Sequence, residues 1–282
     1  MPPLTPHHDT AAPGPLAVTT SPAPDAAGPA LVLLHGVFMD SALWDRVQPL
    51  LPGQRTIRVD MPSHGASPDL PAGASLDDHV TAVASTLDAL RVHGAVVVGH
   101  SWGGMAGLRL AHRRPDLVSG LVLSNTPLLR VWGVARLGFH AQRLLLSAGL
   151  PAAAYGRMAA AALIGPAHRS VHPEDVDAMA GRARRMGRAR LRETLRSVLL
   201  EPEGALDLVA TAPVPWVAVA GEEDYVLSGG VREALGATGH LRVAGGAHTT
   251  PLEDPDAIAA AVRTLLGDIA SPGPTRTVPV DA

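Results

Sequence analysis

The chain has 282 residues, 46% of them hydrophobic, with a formal net charge of -3. That length supports one substantial core plus a smaller attachment, and the slight acidity excludes a nucleic-acid binder, which needs a basic surface to displace counterions. Cysteine and lysine are both absent, which excludes disulfides, thiolate metal sites, a cysteine nucleophile, Schiff-base chemistry and a phosphate loop of the G-x-x-x-x-G-K-S/T kind.

The first thirty residues are dense in Pro, Ala and Gly, so 1–29 reads as a disordered arm in which Leu16–Thr20 could add a short edge strand. It has neither the basic nor the apolar region of a secretory signal. No later segment reaches the roughly 18 apolar residues that cross a bilayer. A cytoplasmic protein without a membrane partner is expected.

Strand-like runs then alternate with helical stretches: Ala30–Gly36, Thr56–Met61, Ala95–His100, Gly120–Thr126, Pro215–Gly221 and Leu241–His248. Their apolar residues are continuous rather than alternating, the mark of parallel strands covered on both faces. Between them, Leu76–Gly94 places Val80, Val83, Leu87 and Leu90 on one helical face. The expected fold class is α/β: a doubly wound, mostly parallel sheet with a helical cap inserted between core strands. The core takes 30–126 and 213–268, and 127–212, which has no strand signal, is the cap over the strands' carboxyl ends. Residues 269–282 form a loose tail.

Chemistry concentrates in "VVVGHSWGG", Val96–Gly104. G-x-S-x-G after a strand and before a helix is the setting of a nucleophile elbow, in which the turn strains the serine backbone and glycines let strand and helix pass closely. Ser101 is therefore the candidate nucleophile; the plainer alternative is that it merely caps the next helix. A neutral serine needs a base oriented by an acid. His248 follows the last strand in "GGAHTTPLEDPDAI" and can hang over the sheet edge. "GEEDYV" after the preceding strand offers Glu222, Glu223 and Asp224. Asp224, the residue that clears the strand end, is preferred and Glu223 held in reserve.

Four blocks in order, "LLHG" (33–36), "DMPSHGAS" (60–67), "GHSWGG" (99–104) and the "GEED…GGAHTTPLEDP" pair (221–255), resemble the α/β-hydrolase family over about Ala30–Leu266. Within that family the chain resembles a small bacterial-type serine esterase or lactonase. The resemblance implies an oxyanion hole from the backbone N–H groups of Val37 and Trp102. Pro62–Ser63 stands where the family usually has Pro–Gly, which predicts a less sharp turn. "GHSWGG" also resembles proline iminopeptidases, but their HGGPG loop is replaced by "HGVFM".

Other conspicuous residues have plainer readings. His35 and His100 are expected to satisfy backbone groups, His64 to stabilise its turn, and Asp60 to serve structure. His168 and His172 lack an acidic partner in any recognisable motif, so no metal site is expected. Seven arginines crowd Gly181–Arg196. Arg182, Arg185, Arg192 and Arg196 would share one solvated cap face paired with Glu193 and Glu201, or form a funnel for an acidic substrate, with Gly187 interrupting the helix. Phe38, Trp132 and Phe139, in an aromatic-poor chain, are candidates for an apolar substrate pocket.

The resulting expectation is a cofactor-independent serine hydrolase, monomer or homodimer, acting on a small carboxylic ester or lactone. The same triad could serve acyl transfer, perhydrolysis or C–C hydrolysis. A ligand-binding protein on a hydrolase-like fold is the rival of a different class.

Overall fold

The computed structural model describes residues 15–21, 28–227 and 229–271. Most of the expected arm and tail lies outside those residues. Within the expected arm, Val18–Ser21 forms β1, anchored by buried Leu16, whose N–H donates to Thr86 Oγ1 at 3.0 Å.

The core strands follow as β2 (Leu31–Leu34), β3 (Thr56–Val59), β4 (Ala95–His100), β5 (Val118–Ser124), β6 (Trp216–Gly221) and β7 (Leu241–Ala244). They make one seven-stranded sheet in the order β1-β3-β2-β4-β5-β6-β7, parallel throughout except for β1, which pairs antiparallel with β3 at the edge. β2, β4 and β6 are buried at every position, which is why their sequences are unbroken apolar runs.

Helices cover both faces. Gly107 of α2 (Trp102–Arg113) lies against Val97 and Leu121, whereas Gly120 of β5 lies against Leu265 and Ile269 of α10 (Pro255–Ala270). Successive strand residues point to opposite faces, so contacts to Gly120 and Leu121 put α2 and α10 on opposite sides of the sheet. α1 (Leu76–Ala89) packs on α2 and starts at a reciprocal capping box between Ser75 and Asp78. Each fully buried Leu or Val in these contacts contributes roughly 1.5–3 kcal/mol.

Between β5 and β6 the chain forms only helices: α3 (Gly133–Ser147), α4 (Ala152–Leu163), α5 (Pro166–Val171), α6 (Pro173–Thr194) and α7 (Leu206–Ala210). A π-helical turn, Leu195–Leu200, extends α6, and α4 packs on α6. Gly187, with φ 76°, breaks α6, so the four arginines share no continuous face. Arg182 pairs with Asp40 at 2.8 Å, Arg190 with Asp69, and Arg196 with Glu193 and Glu201. The insertion is tied to the core by Arg182–Asp40 and by Arg46–Asp175 at 2.8 Å. α8 (Gly229–Ala237) and α9 (Thr250–Glu253) complete the chain order.

α2 starts against the end of β2, and a Cβ on Gly103 would run into the Leu34 carbonyl oxygen. Gly103→Ala is therefore expected to destabilise the fold by at least about 2 kcal/mol through overpacking. Gly138→Ala in α3, where a Cβ meets nothing within 4 Å, should be neutral or stabilising by up to about 1 kcal/mol. Thermal melts of the two variants check this; equal melting temperatures would refute the contact.

Candidate functional site

The strand order places β2 beside β4 while the chain leaves these two strands in opposite directions across the sheet. This is the topological switch point, where open α/β sheets form a crevice at their carboxyl ends. The β2 loop and Ser101 both emerge there. Ser101 adopts φ 50°, ψ -114°, and its side chain makes no cap hydrogen bond, which disposes of the capping alternative. A non-glycine residue held at such angles is strained, a state that persists only where the surroundings over-determine it. Here Ser101 N–H donates to Ser124 O at 2.7 Å, and its carbonyl takes the N–H groups of Gly104 and Met105.

The Ser101 hydroxyl instead meets His248, with Oγ 3.0 Å from Nε2. His248 Nδ1 lies 3.1 Å from both Asp224 oxygens. An ionised carboxylate only accepts, so Nδ1 carries the proton and Nε2 turns its lone pair on the hydroxyl. All three residues are buried, whereas Glu222 and Glu223 are exposed. Asp224 also accepts from Asn125 Nδ2 at 2.8 Å and from the Val226 N–H at 2.8 Å. Burial alone would raise its pKa, but the His248 bond and charge, the Asn125 amide and the Val226 N–H outweigh burial and hold it at about 2.

Two further residues organise this site and were not picked out from sequence. Asn125, fully buried with φ 48°, donates to Asp224 and to Ala247 O. Its own Oδ1 accepts from Ser124 and Thr250. The Glu253 carboxylate accepts from the N–H groups of Gly165, Ala247 and Thr249 at 2.9–3.0 Å, and from the Thr249 hydroxyl at 2.6 Å. It thus grips the residues on both sides of His248 and the turn after α4, whose Leu163 carbonyl accepts the His248 N–H at 3.1 Å. The only sequence signals were an Asn closing "GLVLSNT" and a Glu inside "PLEDP".

The β2 loop abuts the serine: a Cβ on Gly36 would meet His100 Cδ2 at 2.8 Å and Ser101 Cβ at 3.3 Å. Among the described residues, neither the Val37 nor the Trp102 N–H has a protein acceptor. His35 sets the first of these. Its Nε2 accepts the Met61 N–H at 2.8 Å, so its Nδ1–H must donate to Gly36 O at 2.7 Å. That carbonyl shares a peptide plane with the Val37 N–H, and a trans peptide points the two in opposite directions. His35 thereby orients the donor.

Several expectations need correction. Ser63 takes φ 64°, so the turn is as tight as with glycine and a serine bears the left-handed conformation. His64 donates to Pro62 O, and Asp60 accepts from the Ser41 and Ala66 N–H groups, both in structural roles. His100 does not satisfy the backbone: Nδ1 is 3.4 Å from Ser124 Oγ and Nε2 has no partner. His168 and His172 do have acidic partners, Asp175 at 2.7 Å and Glu174 at 2.9 Å, because α6 starts immediately after them. Asp175 already faces Arg46. A cavity of about 200 Å³ between the β2 loop and α6, walled by Met39, Leu43, Arg46, Met179 and Leu252, has none of Ser101, Asp224 and His248 in its lining. Phe38 packs edge-on against Tyr155, Phe139 packs on the core, and Trp132 faces solvent.

A model of the alpha/beta hydrolase fold matches residues 29–197. The chain belongs to the alpha/beta hydrolase fold family. Similar proteins include "Lipase LipV" of Mycobacterium tuberculosis, 42% identical over 98 residues, which are 34% of this chain and 37% of the lipase. Another is the pimeloyl-acyl-carrier-protein methyl ester esterase of Nitrosomonas europaea, 42% identical over 36% of this chain and 38% of the esterase. These matches span well under half of each relative. The enol-lactonase of Burkholderia xenovorans LB400 shares the fold with a TM-score of 0.78, at 17% identity over 89% of this chain and 96% of that one. This alpha/beta hydrolase has no helix, among its described residues, long and apolar enough to cross a membrane.

Around its site four histidines are held neutral. Burial lowers the pKa of each, to about 3 for His64, where the neighbouring His35 adds to the effect, and to about 4 for His79; His35 and His100 also move down. Unfolded, each protonates below about 6.5. Between those values the unfolded chain binds more protons, so stability falls as pH falls. Asp224 remains ionised throughout this window and adds no slope. His64 and His79 together should remove about 2 kcal/mol per pH unit between about pH 6 and 4.5. Urea unfolding across that range measures it, and His79→Gln should flatten the dependence.

Proposed function

We propose that this alpha/beta hydrolase is a serine hydrolase that cleaves a small carboxylic ester or lactone. The observation that carries the reading is the buried line Ser101 Oγ, His248 Nε2, His248 Nδ1–H, Asp224, in which only one tautomer is possible. Ser101 Oγ attacks the carbonyl carbon while Nε2 takes its proton. The imidazolium so formed is stabilised by Asp224. The tetrahedral oxyanion is received by the Val37 and Trp102 N–H groups, which a substrate oxygen would find unengaged. Nε2 returns the proton to the leaving alkoxide, and water, activated by the same nitrogen, then releases the acyl group. The relatives named above, an esterase, a lipase and a lactonase by their descriptions, support an oxygen ester as the substrate class. No step calls for a cofactor.

Ser101→Ala should lower kcat on short p-nitrophenyl esters at least about 10³-fold, and Asp224→Asn by roughly 10⁴-fold, because the amide would reverse the imidazole tautomer. Glu222→Gln and Glu223→Gln should leave kcat unchanged. Substantial turnover by Ser101→Ala, or failure of Ser101 to label with a fluorophosphonate probe, would defeat the reading. Asn125→Ala and Glu253→Gln should each lower kcat with little change in KM, because they hold Asp224 and the His248 loop rather than substrate. A rise in KM alone would assign them elsewhere.

A further inference from the structure

Helix α3 presents an apolar stripe to solvent. Its inward positions carry Phe139 and buried Leu146, together with Arg136, which donates to Leu200 O, and Gln142, which accepts from Tyr155 OH at 2.8 Å. Its outward stripe is apolar: Val134 is 86% exposed, Leu137 69% and Leu144 70%, with Leu145 beside them and Trp132, 78% exposed, at the head. With Leu129, these are six of the eleven large hydrophobic side chains exposed among the described residues. A surface helix in water shows the opposite polarity, and a contiguous patch of this kind marks an interaction surface.

The charge around the stripe says what it meets. From Leu117 to Pro173 there is no Asp or Glu but there are five arginines, of which Arg130 and Arg157 are solvent-exposed. Glu203 and Asp177, which pair with Arg130 and Arg157, come from outside this stretch, and all four side chains are solvent-exposed, so those pairs are weak. A second copy related by a twofold axis would set this basic margin against itself. An anionic headgroup layer complements it: the aliphatic stripe enters the acyl boundary, Trp132 sits at the interface, and arginines reach phosphates. We propose that the outer face of α3 docks the protein, cap first, on an anionic lipid surface. The earlier expectation of no membrane partner rested on spanning length, which surface docking does not need. The inference stands on the packing of α3 and is independent of the Ser101 reading, since its test measures binding alone.

The full chain is mixed with phosphatidylcholine vesicles with and without phosphatidylglycerol, and binding is followed by sedimentation and tryptophan emission. Trp44, Trp102 and Trp216 are buried, so a blue shift reports Trp132. Expected is sedimentation with a blue shift, at least about tenfold tighter on anionic vesicles and weakened by salt. Leu137→Asp with Leu144→Asp should abolish binding without lowering the melting temperature, and the milder Val134→Ser with Leu137→Ser should weaken it. Trp132→Phe should keep sedimentation and lose the shift. No binding by the natural chain, equal binding to neutral vesicles, or binding unchanged in both double variants would overturn the proposal. So would a dimer in analytical ultracentrifugation that Leu137→Asp with Leu144→Asp dissociates.

Discussion

A single buried negative charge organises the carboxyl edge of this sheet. Asp224 is ionised and buried. An isolated buried carboxylate costs far more than a fold can tolerate unless donors surround it. The donors come from three places: the Asn125 amide after β5, the Val226 and Leu227 N–H groups of its own loop, and His248 Nδ1–H after β7. The need to satisfy that charge fixes three loops relative to one another. The same need fixes the histidine tautomer, and hence which nitrogen faces Ser101. Structural satisfaction and chemical readiness are here one requirement.

The second requirement is that the serine and the β2 loop meet. The strained backbone of Ser101 throws its hydroxyl upward, and the shared contact surface of Gly36, His100 and Ser101 leaves no space for a side chain at position 36. His35 then uses both ring nitrogens on backbone, which keeps it neutral and turns the Val37 N–H outward. Burial depresses the His35 pKa against the pull of the Gly36 bond, and the neutral ring can accept the Met61 N–H, as an imidazolium could not. Burial of His64 and His79 beneath Trp102, with ring centroids 5.0 Å from it, continues this neutral, low-dielectric floor under the turn.

What could be read from sequence follows from how local each signal is. Continuous apolar runs located the inner parallel strands, because burial on both faces is a property of the run itself, whereas β7 lies at the edge with Arg242 and Val243 exposed. "GHSWGG" announced its turn, because strand, glycine spacing and helix are contiguous. Asp224 could be preferred over Glu222 and Glu223 only by counting past a strand end, and the structure separates them by burial. Asn125 and Glu253 were invisible for a different reason. Each acts by joining segments distant in sequence, and a lone Asn at a strand end or Glu in a helix-start pattern looks the same whether it does so or not. Ser63 was misread because φ depends on the turn that surrounding bonds enforce, and the flanking Asp60 network is long-range.

The cap was least legible, and α3 shows why. Val134, Leu137, Ala141 and Leu144 recur at helical spacing, and periodicity reports that a face is apolar without saying what covers it. In α6 the corresponding residues, Met179, Ala183 and Met186, are buried; in α3 they face outward while Arg136, Phe139, Gln142 and Leu146 face in. The difference lies in the partners: α4 and the turn after α6 offer α3 a phenol and a backbone carbonyl, which suit polar side chains. The insertion therefore has two distinct sides. Its inner side is pinned to the core at Asp40, Arg46 and Glu253, the last of which also holds the His248 loop. Glu253 thus joins the insertion to the residues that flank His248, because the N–H groups of Gly165, Ala247 and Thr249 share that one carboxylate.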